Sequence, residues 1–215
     1  MPTSIAHAFG GLAAAEGSGA RGWSRARLLL FCTIVANLPD LDFIPGILAG
    51  DAGRFHRHAT HSLLATLLFA LACALWAHRR RRVPPGDAAR FAWLGFLVYG
   101  SHLALDMLVS APSTSAGVPL LWPIGKARYF TVLHLPGPLA ALLDLDFPKH
   151  QHFFHAVFSA HGAVVFLGHG LLFAPLPVLA WLLRRAWQLR PGVGARRDQR
   201  RAGLGIPGPE TEDAA

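Results

Sequence analysis

Histidine and aspartate residues recur beside apolar segments in the first half of this chain, in groups that could share one metal ion. The groups are His7, the pair Asp40 and Asp42, the stretch His56 to Ser62, and the pair His102 and Asp106. Imidazole nitrogens and carboxylate oxygens are common zinc ligands, and ionisable groups among apolar helices are costly unless they serve a site. The pattern therefore indicates a metal site inside a membrane protein.

The pair His102 and Asp106 lies within a long apolar segment, four residues apart. Residues at this spacing project from the same helix face, one turn apart, so both side chains could chelate one divalent cation. The alternative is a hydrogen bond within the helix that merely satisfies two buried polar groups.

The pair Asp40 and Asp42 follows Pro39, which should end the preceding helix and place both carboxylates in an ordered turn. Paired carboxylates there could bind a metal, and either one, when not a ligand, could act as a general base. A helix cap or a solvated loop is the alternative for an isolated pair of this kind.

The stretch from His56 to Ser62 carries histidines, an arginine and two hydroxyls immediately before an apolar segment. His56 and His61 would lie about 140° apart on an ideal helix, so they could reach one metal only if His56 belongs to the preceding loop. Arg57 suits a phosphate or carboxylate oxygen, and Thr60 could cap the helix. Ser62 beside His61 suggests a nucleophile and its base, but adjacent helical residues do not face each other.

The remaining histidines give weaker signals. Four of them precede or enter the last apolar segment and could form a second metal-binding or pH-sensitive patch, or simply one face of an interfacial helix: His150, His152, His155 and His161.

The composition of the 215 residues is that of a membrane protein, with 53% hydrophobic and only 15% charged residues and a mean hydropathy of +0.37. Soluble proteins carry about 25% charged residues. The net charge of +8 comes from arginine blocks that flank apolar runs, which fits topology control and anionic lipid. We expect no nucleic-acid partner, because no aromatic residues interleave with these blocks as stacking platforms.

The apolar segments predict an all-α membrane bundle of four or five helices, some of them short or re-entrant. We expect a membrane-embedded domain over residues 1–190 and a disordered tail over 191–215, with a long loop from Ala111 to His150. Pro175 and Pro177 should break or kink the last segment. The predicted segments are Ser4 to Ala15, Leu28 to Leu38, Ser62 to Ala77, Phe91 to Val109 and Ala156 to Leu183.

Arginine positions predict which ends of these helices face the cytoplasm. Arg79 to Arg82 and Arg90 place the connection between the third and fourth segments inside, and Arg21 to Arg27 place the start of the second segment inside. At about 1.5 Å per helical residue, the candidate ligands then lie roughly 18 to 27 Å from these arginines along their helices. They therefore fall in one layer toward the external face.

In this order, the motifs closely resemble those of the YdjM-like family of bacterial inner-membrane, metal-dependent hydrolases. The resemblance covers about residues 1–125 and rests on LPDxD at Leu38, HRxxTHS at His56, HxxxD at His102 and the stretch Gly117 to Pro123. It implies a polar site made of His7, Asp40, Asp42, His56, His61, His102 and Asp106. More distantly, the HxxxD spacing is similar to sites of helical zinc phospholipases C, which favours phosphoester chemistry.

These features predict a hydrolase in which a divalent metal, zinc first, activates water to attack an ester or phosphoester, with Arg57 stabilising negative charge. The membrane setting suggests a lipid or a small or lipid-linked substrate. A non-enzymatic metal transporter or sensor would use the same residues, but transport favours ionisable groups at several depths. A scaffold held together by polar residues would show isolated groups.

Overall fold

A computed structural model of the chain describes residues 3–18, 24–51, 53–79, 85–109, 117–129 and 158–189, and its regular elements are helical. Within these residues the only strand-like pairing is one bridge between Val118 and Tyr129. The all-α prediction is therefore confirmed. In chain order the helices are α1 (Ser4–Ser18), α2 (Arg25–Asn37), α3 (Phe43–Leu48), α4 (Leu63–Arg79), α5 (Pro85–Val109), α6 (Ala160–Phe173) and α7 (Pro175–Gln188), with 3-10 turns at Pro39–Asp42 and Ala59–His61.

The predicted apolar segments correspond to α1, α2, α4, α5 and the pair α6 and α7, so only the last segment is divided, and the short helix α3 was not predicted. The second segment ends at Asn37, and after a bend of 42° the chain continues through Pro39–Leu48, as expected from a proline that stops a helix. The last segment breaks between α6 and α7 at Pro175, because a proline has no backbone N–H to continue the ladder.

The lengths of the apolar helices fit a membrane protein. Ala88–Leu108 and Gly162–Gln188 are long and apolar enough to cross a bilayer, and the bent pair Ala26–Asn37 with Pro39–Leu48 would make a third span. Leucines along α4 are exposed to the surroundings rather than buried, including Leu67, Leu68 and Leu71. Such a leucine face is suited to lipid.

Some predictions concern parts of the chain that lie outside the described residues. These parts are the tail 191–215, the loop Ala111 to His150 apart from residues 117–129, the side chain of His161, and the histidines His150, His152 and His155.

Helix α1 is the central element, and it contacts α2, α5, α6 and α7. Its buried contacts with α2 and α5 involve small or medium side chains such as Ala15, Cys32, Ala36 and Val98. Small residues let helix backbones approach closely in a membrane bundle. This packing fixes α1, and with it His7, against the turn that follows α2 and against α5.

A substitution at Gly11 tests the close approach of α1 to α2. A Cβ atom at Gly11 would lie 2.8 Å from the Cβ of Ala36 and 3.0 Å from the carbonyl oxygen of Cys32, so α1 and α2 would have to move apart. We expect Gly11→Ala to lower the free energy of unfolding by about 1–3 kcal/mol, the usual cost of overpacking. Thermal unfolding of the purified protein in detergent measures this.

Gly100→Ala in α5 is the matched control, because the nearest atom to its new Cβ would be 3.7 Å away, an ordinary contact. Its stability should change by no more than about 1 kcal/mol. Equal stability of the two variants would contradict close packing at Gly11.

Candidate metal centre

Four separate parts of the chain bring the predicted site residues together. Helix α1, the 3-10 turn after α2, the stretch that precedes α4, and α5 each contribute side chains. Every one of the seven predicted residues lies within 4 Å of another, and together they form one continuous cluster: His7, Asp40, Asp42, His56, His61, His102 and Asp106.

At the centre, four donor atoms converge: Nε2 of His61 and His102, Oδ1 of Asp40 and Oδ2 of Asp106. The two nitrogens are 3.1 Å apart. Oδ1 of Asp40 lies 3.5 Å from the His61 nitrogen and 3.4 Å from that of His102, and Oδ2 of Asp106 lies 3.4 and 3.8 Å from the same two atoms. Donors bound tetrahedrally to zinc at about 2.0–2.1 Å are about 3.4 Å from each other, so the separation of the two nitrogens and their separations from the two oxygens suit one such ion.

The ring of His102 is oriented by the backbone of α2. Its Nδ1 lies 2.7 Å from the carbonyl oxygen of Ala36 and must donate to it, because a carbonyl only accepts. The lone pair of Nε2 therefore faces the centre, as required of a metal ligand. The separation of 3.8 Å between His102 and Asp106 is too long for the alternative hydrogen bond within the helix.

The ring of His61 is oriented in a similar way. Its Nδ1 lies 3.0 Å from Oγ1 of Thr60 and 3.2 Å from Oδ2 of Asp42. Thr60 donates its hydroxyl proton to Asp42, at 2.8 Å. Both neighbours of Nδ1 are thus acceptors, so in the neutral ring Nδ1 carries the proton and Nε2 presents its lone pair to the centre.

Asp42 holds the stretch that precedes α4. Its Oδ1 lies 2.9 Å from Nδ1 of His56, and its Oδ2 accepts from the backbone N–H of Arg57 at 3.1 Å and from Thr60. Both carboxylate oxygens are therefore engaged by donors. Asp42 orients two histidines and a loop, whereas Asp40 directs an oxygen at the central nitrogens.

This difference predicts distinct effects for the two aspartates. Asp42→Asn should weaken metal binding by about 10- to 100-fold without abolishing it, the usual cost of losing a carboxylate that orients a histidine ligand. Asp40→Asn removes one of the converging donors and should weaken metal binding more than Asp42→Asn does. Competition titration with a chromophoric chelator measures both affinities, and a larger loss in the Asp42 variant would contradict this division.

His7 and His56 lie next to different residues of the cluster, His7 beside His102 and Asp106 and His56 beside Asp40 and Asp42. His7 is fully buried, stacks on His102 at 3.7 Å between ring centroids and places Nε2 3.8 Å from Oδ1 of Asp106. Among the described residues, neither ring nitrogen of His7 nor Nε2 of His56 has a hydrogen-bond partner. Buried polar atoms are normally paired, so a cation or a water-filled site would account for these nitrogens.

Charge at the centre is strongly negative. Among the residues that the structure describes, three carboxylates face one buried cation, Arg57, whose Nη2 donates to Oδ1 of Asp106 at 3.2 Å. Burial lowers the pKa of His61, but hydrogen bonds to Asp106, Asp40 and Asp42 outweigh it and hold that pKa well above its usual value. The cluster thus favours positive charge at its centre. With neutral imidazoles, the carboxylates and Arg57 leave two negative charges, which one divalent ion balances.

Arg57 has a backbone φ of 58°, in the left-handed region that side chains rarely adopt. Such a conformation costs of the order of 1–3 kcal/mol and persists where surrounding contacts determine it. Here the backbone N–H bonds to Asp42 and the guanidinium to Asp106. The strained backbone delivers a buried cation to the site.

Some roles differ from those expected from the sequence. Ser62, and not Thr60, caps α4, because Oγ of Ser62 accepts a hydrogen bond from the N–H of Ala65 at 3.1 Å. The same hydroxyl donates to the carbonyl oxygen of Ala59. The Ser62 hydroxyl is thereby committed, which removes the support for a nucleophile. Arg128 was not singled out by any motif, yet its Nη1 donates to the carbonyl oxygens of Arg57 and Gly117. No local spacing links it to Arg57.

Comparison with known proteins agrees with the membrane fold. A family model described as YdjM inner membrane protein matches residues 1–167. The inner membrane protein YdjM of Escherichia coli (strain K12) and that of Shigella flexneri are each 45% identical to this chain over 73 residues, which cover 32% of the chain and 30% of each relative. No solved structure matches. The chain therefore belongs to the YdjM family of inner membrane proteins.

Proposed function

We propose that this protein is a membrane-bound, metal-dependent hydrolase that acts on an ester or phosphoester, with a lipid-linked compound as its substrate. The observation that carries the proposal is the convergence of two carboxylate oxygens, one from Asp40 and one from Asp106, on two imidazole nitrogens. The nitrogens are 3.1 Å apart, and each oxygen lies 3.4 to 3.8 Å from both of them. Nitrogen and oxygen donors of this kind suit zinc. His61, His102, Asp40 and Asp106 would hold the ion.

The other residues would prepare the site for reaction. Three of these four donors would be enough to hold a zinc ion and leave room for a water, whose pKa the ion would lower to about 7, so that the site would supply a nucleophile near neutral pH. Asp42 keeps His61 and His56 in place through its hydrogen bonds. Arg57 lies beside Asp106 and would stabilise the negative charge that develops on the substrate.

His7 and His56 are suited to the outer positions of the site. Two groups of candidate ligands have their donor atoms within 4.8 Å of one another: His7, His102 and Asp106, and Asp40, His56 and His61. The short distance between His61 and His102 joins the groups into one cluster. Since one divalent ion balances the local charge, we assign one ion to the centre, with His7 and His56 next to its ligands.

The site is proposed to open toward the external face. Arg27, Arg79 and Arg90 lie at the opposite ends of the helices that carry the site, and positive residues favour the cytoplasm. A cysteine placed at Leu41 should therefore react with an impermeant reagent from outside, whereas a cysteine at Arg79 should not. Labelling of both from one side would contradict this orientation.

Turnover by the full chain in detergent tests the hydrolase proposal. Short-chain phospholipids and a carboxylic ester are offered as substrates, with and without a chelator. We expect hydrolysis that the chelator abolishes and added Zn²⁺ restores. Stoichiometric metal without turnover on any of these bonds would contradict the hydrolase and favour a metal sensor or transporter.

A further inference from the structure

Residues 117–129 form a loop that is fastened to the site. The backbone groups of Val118 and Tyr129 bond to each other at 2.8 and 2.9 Å and close the loop. The N–H of Leu63, the first residue of α4, donates to the carbonyl oxygen of Leu120 at 2.9 Å. Gly117 has space only for hydrogen, because a Cβ atom there would lie 2.8 Å from the Tyr129 carbonyl oxygen. The loop is thus held next to His61 and Ser62.

The tip of this loop exposes large apolar side chains. Leu121 and Trp122 are exposed over nearly half of their surface, and Ile124 over 97%. The 3-10 turn that carries Asp40 and Asp42 continues into a second exposed apolar surface, which includes Leu41, Ile44 and Leu48. Apolar surface is therefore exposed on one element that builds the site and on the loop that is fastened beside it.

Basic residues follow the apolar tip directly. Lys126 and Arg128 are both exposed, and Nη1 of Arg128 lies 3.5 Å from the carbonyl oxygen of Arg57. An apolar tip followed by cations is suited to a membrane interface, with the apolar side chains among the acyl chains and the cations at the phosphate layer. The exposed leucines of α4 continue the same lipid-facing surface from Leu63 and Leu64 onward.

We propose, building on the hydrolase function inferred above, that the 117–129 loop is a lipid-binding surface that docks the phosphate-bearing head group of a bilayer lipid beside the metal site. Lys126 and Arg128 bind the phosphate, and Leu121, Trp122 and Ile124 contact the acyl chains. The substrate is then a phosphate-bearing lipid that reaches the site from within the bilayer.

Binding of dioctanoyl phosphatidic acid to the detergent-solubilised full chain tests this surface. Each basic residue at an anionic lipid surface contributes about fivefold in affinity, so the double variant Lys126→Gln/Arg128→Gln should bind about 25-fold more weakly. Arg79→Gln, at the other end of α4, is the matched control and should bind like wild type. Ile124→Ser leaves the Arg128 hydrogen bonds intact and should also weaken binding by at least about fivefold.

Three further measurements distinguish lipid docking on this loop from binding of free phosphate and from hydrolysis at the metal site. Dioctanoylglycerol, which lacks the phosphate, should bind much more weakly, and inorganic phosphate should not compete at equal concentration. The wild-type chain should still bind the lipid when the chelator that stops turnover is present, so lipid binding is read independently of hydrolysis. Unchanged binding in both the double variant and Ile124→Ser, equal binding of dioctanoylglycerol, or equal competition by inorganic phosphate would overturn the proposal.

Discussion

Chelating the metal is expected to lower the thermal midpoint of the wild-type protein and to leave that of Asp106→Asn unchanged. An ion that binds only the folded state stabilises it by about 4 kcal/mol when its free concentration is 1,000 times Kd. Asp106 supplies one of the four converging donors and is fully buried, so its amide should remove most of this stabilisation. Thermal unfolding in detergent, with excess Zn²⁺ or with excess chelator, gives the two shifts.

Asp51→Asn is the control for this experiment. Asp51 accepts a hydrogen bond from the N–H of Gly53, at 3.2 Å, and is not one of the clustered residues. It should respond to the chelator as wild type does. The proposal that Asp106 holds a metal would be contradicted if the chelator did not change the thermal midpoint of the wild type, or if it shifted the midpoint of Asp106→Asn by the same amount.

Removing the cation at position 57 is expected to destabilise the protein strongly. The guanidinium of Arg57 is buried against Asp106, and loss of one partner from a buried ion pair costs about 3–5 kcal/mol because the other charge is left uncompensated. We expect Arg57→Met to lower the free energy of unfolding by this amount. Denaturant or thermal unfolding of the metal-free proteins measures it.

Arg57→Lys is the informative partner of that variant. It keeps the charge but loses the planar fork, so much of the stability should return. Loss of activity in Arg57→Lys with retained stability would support contact of the guanidinium with substrate. If Arg57→Met were as stable as wild type, the buried pair with Asp106 would have no energetic role.

Much of the architecture follows from local sequence. Apolar runs of helical length predicted the helices, and Pro39 and Pro175 predicted the two breaks, because a proline interrupts the backbone ladder wherever it stands. The spacing of His102 and Asp106 likewise predicted a shared helix face. These inferences need only the geometry of one segment.

Which residues of the cluster face the central nitrogens, and which orient the histidines, depends on contacts between segments. Asp40 and Asp42 are alike in the sequence, but the 3-10 turn directs one toward the central nitrogens and the other toward Thr60 and His56. Thr60 was expected only as a helix cap, whereas Ser62 fills that position. Chain neighbours alone did not reveal which hydroxyl serves the helix and which serves the site.

The sequence also did not predict the left-handed backbone conformation at Arg57. Glycine usually marks such a position, and here an arginine adopts it because hydrogen bonds to Asp42 and Asp106 fix both ends of the residue. The contact of Arg128 with the Arg57 carbonyl joins residues 71 positions apart. Interactions at that separation become visible only once the fold brings the segments together.

The metal content of the purified full-length protein tests the central claim most directly. Elemental analysis should find about one divalent ion per chain in the wild type, since one ion balances the buried charge, and little in His102→Ala. His78→Ala, which removes an exposed histidine at the end of α4, should retain the wild-type content. Absence of metal from wild-type protein supplied with zinc, or the same content in His102→Ala, would contradict a metal centre built on these residues.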